Sequence, residues 1–364
     1  MSNLKVGIVG LPNVGKSTLF NALTRAGAAS SNYPFCTIDP NVGVVDVTDP
    51  RLGVLSSLSN SEKIVYATMQ FVDIAGLVEG ASKGEGLGNQ FLSHIRETDA
   101  IVHVVRCFES DEIIHVRGNV HPLEDVETID MELILADLQM AHNSAAKLEK
   151  QVKGNKDLAP VFDALRKAIA HLDKGLPVRA LALTDEEKEA LIPYPFLSGK
   201  RVLYVANVSE ADLPEMDNKY VRMLKEHAEK EGNIVVPICG KLEAEISELD
   251  PEEQLEFLQS AGLEETGLNR LIHASFKMLG LITYLTTGEI ETRAWTIPLG
   301  ATAVEAAGKI HTDIQKGFIR AEVVSYDDIV THKGRTGARE AGKLRAEGRD
   351  YIVKDGDVIL FLHN

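Results

Sequence analysis

The 364-residue sequence predicts an α/β fold with a doubly wound, mostly parallel sheet. Two observations predict it. Short apolar runs typical of buried strands recur between residues 4 and 238, and helical patterns separate several of them. Strands that alternate with helices form parallel sheets that are covered on both faces. Because the chain exceeds one typical core, we expect further domains.

The first elements in the chain are a strand over residues 4–9, a loop over Gly10–Ser17 and a helix over residues 18–25. They open a first domain that we predict to extend over residues 1–280. Its further strands are predicted at residues 65–72, 100–105, 201–206 and 234–238.

A helical insert interrupts this alternation. Apolar residues recur at steps of three and four over residues 131–152, which is the heptad pattern of a coiled-coil seam. Gly154 and Asn155 then break the pattern before it resumes. We predict an antiparallel helical hairpin over residues 125–195 that either projects from the domain or packs on the sheet. The seam consists of Met131, Ile134, Leu138, Ala141, Ala145, Leu148 and Val152.

The last part of the chain is rich in predicted strands and forms a separate domain over residues 281–364. One main helix is predicted over residues 304–315, and Lys354–Asp357 carries a turn signal. The strands are predicted at residues 291–297, 321–325 and 358–362.

Composition excludes several classes of protein. No apolar run approaches the roughly 20 residues that span a bilayer, and the three widely spaced cysteines supply neither a disulfide framework nor a zinc site. The net charge of −16 argues against general adhesion to nucleic acid. Residues 332–349 nevertheless hold six Lys or Arg and two Glu, either a contact for RNA phosphates or a solvated surface. We expect a cytoplasmic monomer that binds no membrane and reads no DNA sequence.

A phosphate-binding loop is the strongest motif. Residues 10–17 read Gly-Leu-Pro-Asn-Val-Gly-Lys-Ser, which matches G-x-x-x-x-G-K-[ST] between a predicted strand and a predicted helix. Glycines let backbone N–H groups close around phosphates, Lys16 reaches the β- and γ-phosphates, and the Ser17 hydroxyl coordinates Mg²⁺. The motif predicts a nucleoside triphosphate and Mg²⁺ as ligands.

Two further segments complete the predicted phosphate site. Asp73 and Gly76 belong to Asp-Ile-Ala-Gly at the end of a strand, where the carboxylate holds Mg²⁺ through water and the Gly76 N–H senses the γ-phosphate. Thr37 lies between the P-loop and Asp73 in the sequence. It is a candidate for a second hydroxyl ligand to Mg²⁺.

The segment expected to read the base differs from that of common GTPases, which carry Asn-Lys-x-Asp after a late strand. Here residues 207–210 read Asn-Val-Ser-Glu. An aspartate carboxylate held in place accepts hydrogen bonds from guanine N1–H and from the 2-amino group. The longer Glu210 is free to turn away from the base, which would let Asn207 contact adenine. The substitutions favour ATP and leave GTP open.

The residue that orients the attacking water is also unusual. The position after Gly76, where Ras-like proteins carry Gln, is Leu77. His115, in a loop beyond the next strand, is the candidate substitute, because an imidazole accepts a proton or orients water near neutral pH. A solvated or packed histidine is the alternative, and His94 is a weaker rival.

These motifs together resemble the YchF subfamily of Obg-related P-loop proteins over essentially the whole chain. The resemblance implies a nucleotide-binding domain, a coiled-coil insert and a C-terminal ubiquitin-like TGS domain of the β-grasp type. It also implies an ATPase with weaker or no GTPase activity, and association with the ribosome. The motifs that carry it are residues 10–23, Tyr-Pro-Phe-Cys-Thr-Ile at 33–38, Asp-Ile-Ala-Gly-Leu-Val at 73–78, residues 80–89, Asn-Val-Ser-Glu at 207–210 and Arg-Ala-Trp-Thr at 293–296.

The resemblance also assigns residues. It implies that the backbone at Val208 lies by the adenine and that His115 and Lys16 serve catalysis. It also leaves open that K⁺ binds beside Asn13 and activates the protein. Two alternative functions stay open, a GTP-hydrolysing ribosome-assembly factor and a nucleotide-gated binding module without catalysis. The residues implied to hold the phosphates are Asn13, Val14, Gly15, Lys16, Ser17 and Thr18.

Overall fold

The computed structural model describes residues 4–28, 41–74, 86–110 and 118–364. Two compact units are formed, one by residues 1–45 with 70–274 and the other by residues 46–69 with 275–364. The described part contains no helix that is long and apolar enough to cross a membrane.

The strands are β1 (Lys5–Val9), β2 (Val42–Val47), β3 (Lys63–Val65), β4 (Ala67–Asp73), β5 (Ala100–Arg106), β6 (Arg201–Asn207), β7 (Ile234–Ile238), β8 (Leu281–Thr287), β9 (Glu291–Pro298), β10 (Phe318–Ser325), β11 (Arg345–Glu347) and β12 (Asp357–His363).

The helices are α1 (Lys16–Ala28), α2 (Pro50–Ser59), α3 (Gly86–Arg96), α4 (Pro122–Val152), α5 (Ala159–Leu172), α6 (Asp185–Leu191), α7 (Lys219–Glu231), α8 (Gly240–Ile246), α9 (Pro251–Ser260), α10 (Gly267–Met278), α11 (Ala303–Ile310), α12 (Thr312–Lys316), α13 (Tyr326–Thr331) and α14 (Arg335–Glu340).

The first sheet has the strand order β2-β4-β1-β5-β6-β7. β1 pairs in parallel with β4 and β5, and β6 pairs in parallel with β5 and β7. Every residue of β5 is buried, as expected for a central parallel strand that is covered on both faces. The prediction of a doubly wound, mostly parallel sheet is confirmed. Since parallel strands all end at one edge, the residues that follow β1, β4, β5, β6 and β7 meet there.

The helical hairpin has its own apolar core. Its members come from α4, from α5 and from the segment that follows them, including Ile134, Leu148, Leu165 and Phe196. The prediction for Met131 is wrong: its side chain is 45% exposed, because it lies on the outer side of α4. The seam therefore begins at Ile134.

Of the two placements predicted for the hairpin, packing on the sheet applies to one half and projection from the domain applies to the other. The N-terminal half of α4 packs against β5 and α7 and buries Val126, Ile129 and Leu133. The carboxylate of Asp137 then accepts the N–H groups of Leu197 and Ser198, both at 2.8 Å. Beyond that point α4 packs on α5, so only the distal half is stabilised chiefly by its own core.

The second sheet has the order β11-β10-β12-β8-β9-β3, and α11 packs against it. The β8–β9 and β10–β12 pairs are antiparallel, and β12 is parallel to β8. A mixed sheet with a packed helix agrees with the β-rich module that we predict for the C-terminal domain. Its assignment as a TGS domain stays a prediction.

The second unit includes residues 46–69, which we predict to belong to the first domain. The predicted strand over residues 65–72 is two strands, and β3 pairs in parallel with β9. Arg51 also donates to Asp355 at 2.9 Å. These contacts join residues more than 200 positions apart, so no local pattern indicates them. Strands β2, β8 and β11 are likewise absent from our prediction.

The predicted helix over residues 304–315 is broken at His311. This residue is extended, with φ −161°, and its side chain accepts the N–H of Asp313 at 3.1 Å. It therefore ends α11 and caps the start of α12, because an imidazole acceptor at that position satisfies a free N–H of the first turn.

The basic residues within 332–349 are largely paired inside the second unit. Arg335 and Arg339 donate to Glu322 at 2.6 and 3.2 Å, and Lys343 lies 3.5 Å from Asp328. These pairings favour the solvated-surface interpretation over a dedicated contact for RNA phosphates.

A buried polar network joins the base of the hairpin to the first sheet. Tyr204 of β6 donates to Glu231 of α7 at 3.0 Å, and Arg179 pairs with Asp130 of α4 and lies 3.4 Å from Glu231. The ring of His103 on β5 lies 5.7 Å from that of Tyr204. Burial lowers the pKa of His103 to about 3.

This shift predicts a pH dependence of stability. Between pH 6.5 and 3 the unfolded chain binds a proton at His103 that the folded chain does not, so the free energy of unfolding falls as the pH falls through that window. One proton amounts to about 1.4 kcal/mol per pH unit. Between pH 7 and pH 5, we expect the free energy of unfolding to fall by about 2 kcal/mol less in His103→Gln than in the parent, measured by urea unfolding. His94→Gln, at an exposed histidine, is the control. An equal fall in the free energy of unfolding in the parent and in His103→Gln would contradict the prediction.

Candidate nucleotide-binding site

The P-loop connects β1 to α1, as the motif predicts. Gly10 has no room for a side chain, since a Cβ there would lie 2.7 Å from the carbonyl oxygen of Val104 on β5. Asn13 and Gly15 have φ values of 64° and 94°, and the Gly15 carbonyl accepts the Leu19 N–H at 3.0 Å as α1 begins. Val14 is buried and anchors the loop in the core. The loop therefore has a shape that requires glycine at position 15.

The side-chain amide of Asn207 holds the loops of the site together. Its Nδ2 donates to the Val14 carbonyl at 2.8 Å, and its Oδ1 accepts the Gly240 N–H at 3.0 Å. Asn207 ends β6 and is buried. We predict that this side chain contacts the base, whereas one donor and one acceptor of its amide are already engaged with the chain itself.

The end of the site that is predicted to hold the phosphates contains a charged pair. Lys16 Nζ lies 3.6 Å from Asp73 Oδ1, and both side chains are largely shielded from solvent. Asp73 Oδ1 is buried and has no hydrogen-bond partner, although its backbone N–H donates to Asn41 at 2.9 Å. Lys16 Nζ is too far from this oxygen to donate a hydrogen bond, so a bound metal ion or water would satisfy the buried atom. The residues present therefore fit a divalent metal here.

The described residues offer such a metal few ligands. Among the described residues there is no group of three His, Cys, Asp or Glu side chains that could hold a metal ion. Ser17 lies exposed at the start of α1, next to Lys16. This is typical of phosphate sites, where the ion keeps several waters and is shared between the protein and the phosphates.

A cavity of about 560 Å³ extends from the P-loop along the carboxyl edge of the sheet. Its volume suits a nucleoside. Residues 108–110 after β5, 207–210 after β6 and 239–241 after β7 line it, with side chains from α8. The P-loop contributes Asn13, Gly15 and Thr18. The structure therefore places most of the described predicted residues around one cavity.

At the end of the cavity where the base is predicted to bind, the residues differ from those of a guanine site. Val208, where common GTPases carry Lys, is buried, and its N–H donates to the Ile238 carbonyl at 2.9 Å. Glu210 forms an ion pair with Lys241, since its Oε2 lies 2.6 Å from Lys241 Nζ. This hydrogen bond raises the pKa of Lys241, which stays charged.

Several residues of the cavity wall are absent from our sequence prediction, among them Phe108 and Lys241. Both follow the carboxyl ends of predicted strands, β5 and β7. The rule that ligands of parallel sheets bind at that edge would have indicated both positions. Nothing in the sequence indicated that Lys241 pairs with Glu210.

Several predicted residues lie outside the described residues: Thr37, Gly76, Leu77 and His115. Their assigned roles stay predictions. The rival His94 is exposed on α3 and does not line the cavity.

Comparisons with known proteins agree with this geometry. Residues 5–143 match a family model described as "50S ribosome-binding GTPase", and residues 281–364 match the YchF-GTPase_C model, described as "Protein of unknown function (DUF933)". A protein of Escherichia coli O157:H7 named ribosome-binding ATPase YchF is 57% identical over 361 residues, which cover 99% of each chain. The chain belongs to the YchF family. A Bacillus subtilis YchF of the same name is 51% identical over 363 residues, again covering 99% of each chain.

A solved structure supports the same relationship. The Schizosaccharomyces pombe YchF GTPase aligns with a TM-score of 0.89 and 36% identity, covering 100% of this chain and 98% of the other. The resemblance to the YchF subfamily is confirmed, and with it the P-loop nucleotide hydrolase fold. YchF relatives carry both ATPase and GTPase in their names, so the names alone leave the base undecided.

The close packing at Gly15 generates a prediction. We expect Gly15→Ala to weaken nucleotide binding at least about tenfold, because a Cβ would overlap Asn207 Nδ2 and the φ of 94° strains any other residue. Titration of the full chain with a non-hydrolysable ATP analogue measures the loss.

Gly53→Ala provides the matched control for this substitution. Gly53 lies within α2, and a Cβ added there would have no atom within 4 Å, so the change should leave binding unaltered and slightly stabilise the helix. Equal binding by Gly15→Ala and the parent would show that the Asn207 contact does not shape the P-loop.

Proposed function

We propose that this chain is a Mg²⁺-dependent ATPase that converts ATP to ADP and phosphate and binds the ribosome in the cytoplasm. The observation that carries the proposal is the largely shielded Lys16–Asp73 pair beside the P-loop, whose Asp73 Oδ1 lacks a hydrogen-bond partner. A lysine and an unsatisfied carboxylate at this edge suit a triphosphate and its metal.

The residues fit distinct roles at the phosphate end. Asn13 to Thr18 surround the phosphates, and Lys16 stabilises charge on the transferred phosphoryl group. Ser17, Thr37 and Asp73 hold Mg²⁺, which neutralises phosphate charge when bound. The Gly76 N–H meets the γ-phosphate. K⁺ beside Asn13 is part of the proposal as an activator.

Three features support adenine at the base end. Val208 replaces the lysine that common GTPases carry, Glu210 replaces the aspartate, and the bacterial relatives are named ATPases. The backbone at Val208 then lies along the adenine, while Asn207 fixes the loops on either side. Weaker or absent GTPase activity follows, since the guanine-reading set is incomplete.

The ribosome is the proposed macromolecular partner. The family model over residues 5–143 is described as ribosome-binding, and the relatives are named for that property. The distal half of the hairpin and the C-terminal domain, which we propose to be a TGS domain, supply surfaces outside the nucleotide site. We propose that the chain acts there as a monomer.

The base preference is tested by equilibrium binding. We expect the full chain to bind a non-hydrolysable ATP analogue at least about tenfold more tightly than the matching GTP analogue, because a missing base reader changes discrimination by orders of magnitude. Both titrations use the same Mg²⁺ concentration. Tighter binding of the GTP analogue would replace the ATPase by a GTP-hydrolysing ribosome-assembly factor.

The proposed role of His115 in orienting water is tested by substitution. We expect His115→Ala to lower kcat for ATP at least about tenfold while the Kd for ATP stays within about threefold, since general acid–base groups contribute about 10²–10⁴-fold. His94→Ala is the control, because this exposed histidine does not line the cavity.

Rates are measured with and without ribosomes. Unchanged kcat in His115→Ala would exclude the catalytic role. No turnover by the parent under either condition would indicate a nucleotide-gated binding module instead.

A further inference from the structure

We propose that Lys241 is a specificity-determining residue, which reads the Watson–Crick edge of adenine together with Glu210. The inference rests on the proposed preference for ATP and names the side chains that produce it.

The pair lies where a base would be held. Lys241 is the second residue of α8, directly after β7, and Glu210 opens a short 3₁₀ turn after β6. Lys241 Nζ and Glu210 Oε2 are 2.6 Å apart, and both residues line the cavity of about 560 Å³. Asn13 and Gly15 of the P-loop line the same cavity, so the pair and part of the P-loop face one space.

The backbone beneath the pair is fixed by neighbouring hydrogen bonds. Asn207 Oδ1 accepts the Gly240 N–H at 3.0 Å, which ties the start of α8 to the end of β6. Ser209 donates to Asp212 from its N–H at 3.1 Å and from its hydroxyl at 2.8 Å, which closes the turn that carries Glu210. The two side chains therefore project from positions that are set before a ligand arrives.

The hydrogen-bonding pattern of the two bases decides what such a pair recognises. Guanine presents donors at N1–H and the 2-amino group, so a lone carboxylate satisfies both. Adenine presents an acceptor at N1 and a donor at the 6-amino group, so a lone carboxylate repels N1. An ammonium and a carboxylate side by side supply one donor and one acceptor, which matches adenine.

The surrounding charges give Lys241 a role that no neighbour shares. Among the described residues that line the cavity, it is the one Lys or Arg, whereas four are glutamates. Two of those glutamates have other partners: Glu109 pairs with Lys219 and Tyr220, and Glu248 pairs with Arg25. Without Lys241 the carboxylate of Glu210 would face the base with no described cation beside it.

The pair contributes little to the stability of the chain. The side chains of Lys241 and Glu210 are 68% and 47% exposed, and solvent-exposed ion pairs are weak because water screens them. A base that covers them removes that water and strengthens every polar contact beneath it. The interaction therefore matters for binding rather than folding.

The experiment compares Lys241→Met with the matched control Lys219→Met. Lys219 forms the corresponding ion pair with Glu109, a glutamate of the cavity wall, but does not itself line the cavity. Non-hydrolysable ATP and GTP analogues are titrated into the full chain at constant Mg²⁺. We expect Lys241→Met to reduce the ratio of ATP to GTP affinity at least about tenfold, and Lys219→Met to change it less than about twofold.

A third ligand separates base reading from a general loss of charge. The 1-deaza analogue of ATP lacks the N1 acceptor. We expect the parent to bind it about tenfold less tightly than ATP, and Lys241→Met to bind the two equally, since no donor to N1 remains.

The outcomes distinguish this inference from the function on which it rests. If the parent prefers ATP but the ratio is unchanged in Lys241→Met, or the 1-deaza analogue binds the parent as tightly as ATP, Lys241 does not read the base. The ATPase would then stand. If the parent shows no preference for ATP, the proposed function itself fails.

Discussion

The side-chain amide of Asn207 is the contact on which the nucleotide site depends. Its two ends join the P-loop at Val14 to the start of α8 at Gly240, and the side chain is buried at the end of β6. A parallel sheet brings five strand ends to one edge but leaves the loops beyond them free to diverge. One amide that both donates and accepts fixes two of these loops, and Gly15 lacks a side chain where this amide packs.

Charge is distributed unevenly around this contact. At the proposed phosphate end Lys16 and Asp73 are shielded, so water would compete little with a triphosphate and its metal for these side chains. At the proposed base end Glu210 and Lys241 are exposed, and their ion pair would strengthen when a ligand covers it. The proposed site therefore has a shielded phosphate end and an exposed base end.

The segment of residues 46–69 explains why domain boundaries in this chain do not follow the sequence. It lies between two strands of the first sheet, yet β3 pairs with β9, and Arg51 contacts Asp355 and Thr283. Periodicity predicts that a strand exists but not which strand it pairs with. The same limit applies to the heptad seam, since spacing indicated a hairpin and only packing excluded Met131 from its core.

The sequence by itself determined the P-loop, the parallel sheet, the hairpin and the β-rich C-terminal domain, because local periodicity and glycine positions encode them. It also indicated that the base reader of common GTPases is altered at Val208 and Glu210. Only the tertiary structure decided that Asn207 holds the loops and that Glu210 is paired with Lys241, 31 residues away. Such partners are set by which strand ends meet at the edge of the sheet, and that depends on the folded chain rather than on any local pattern.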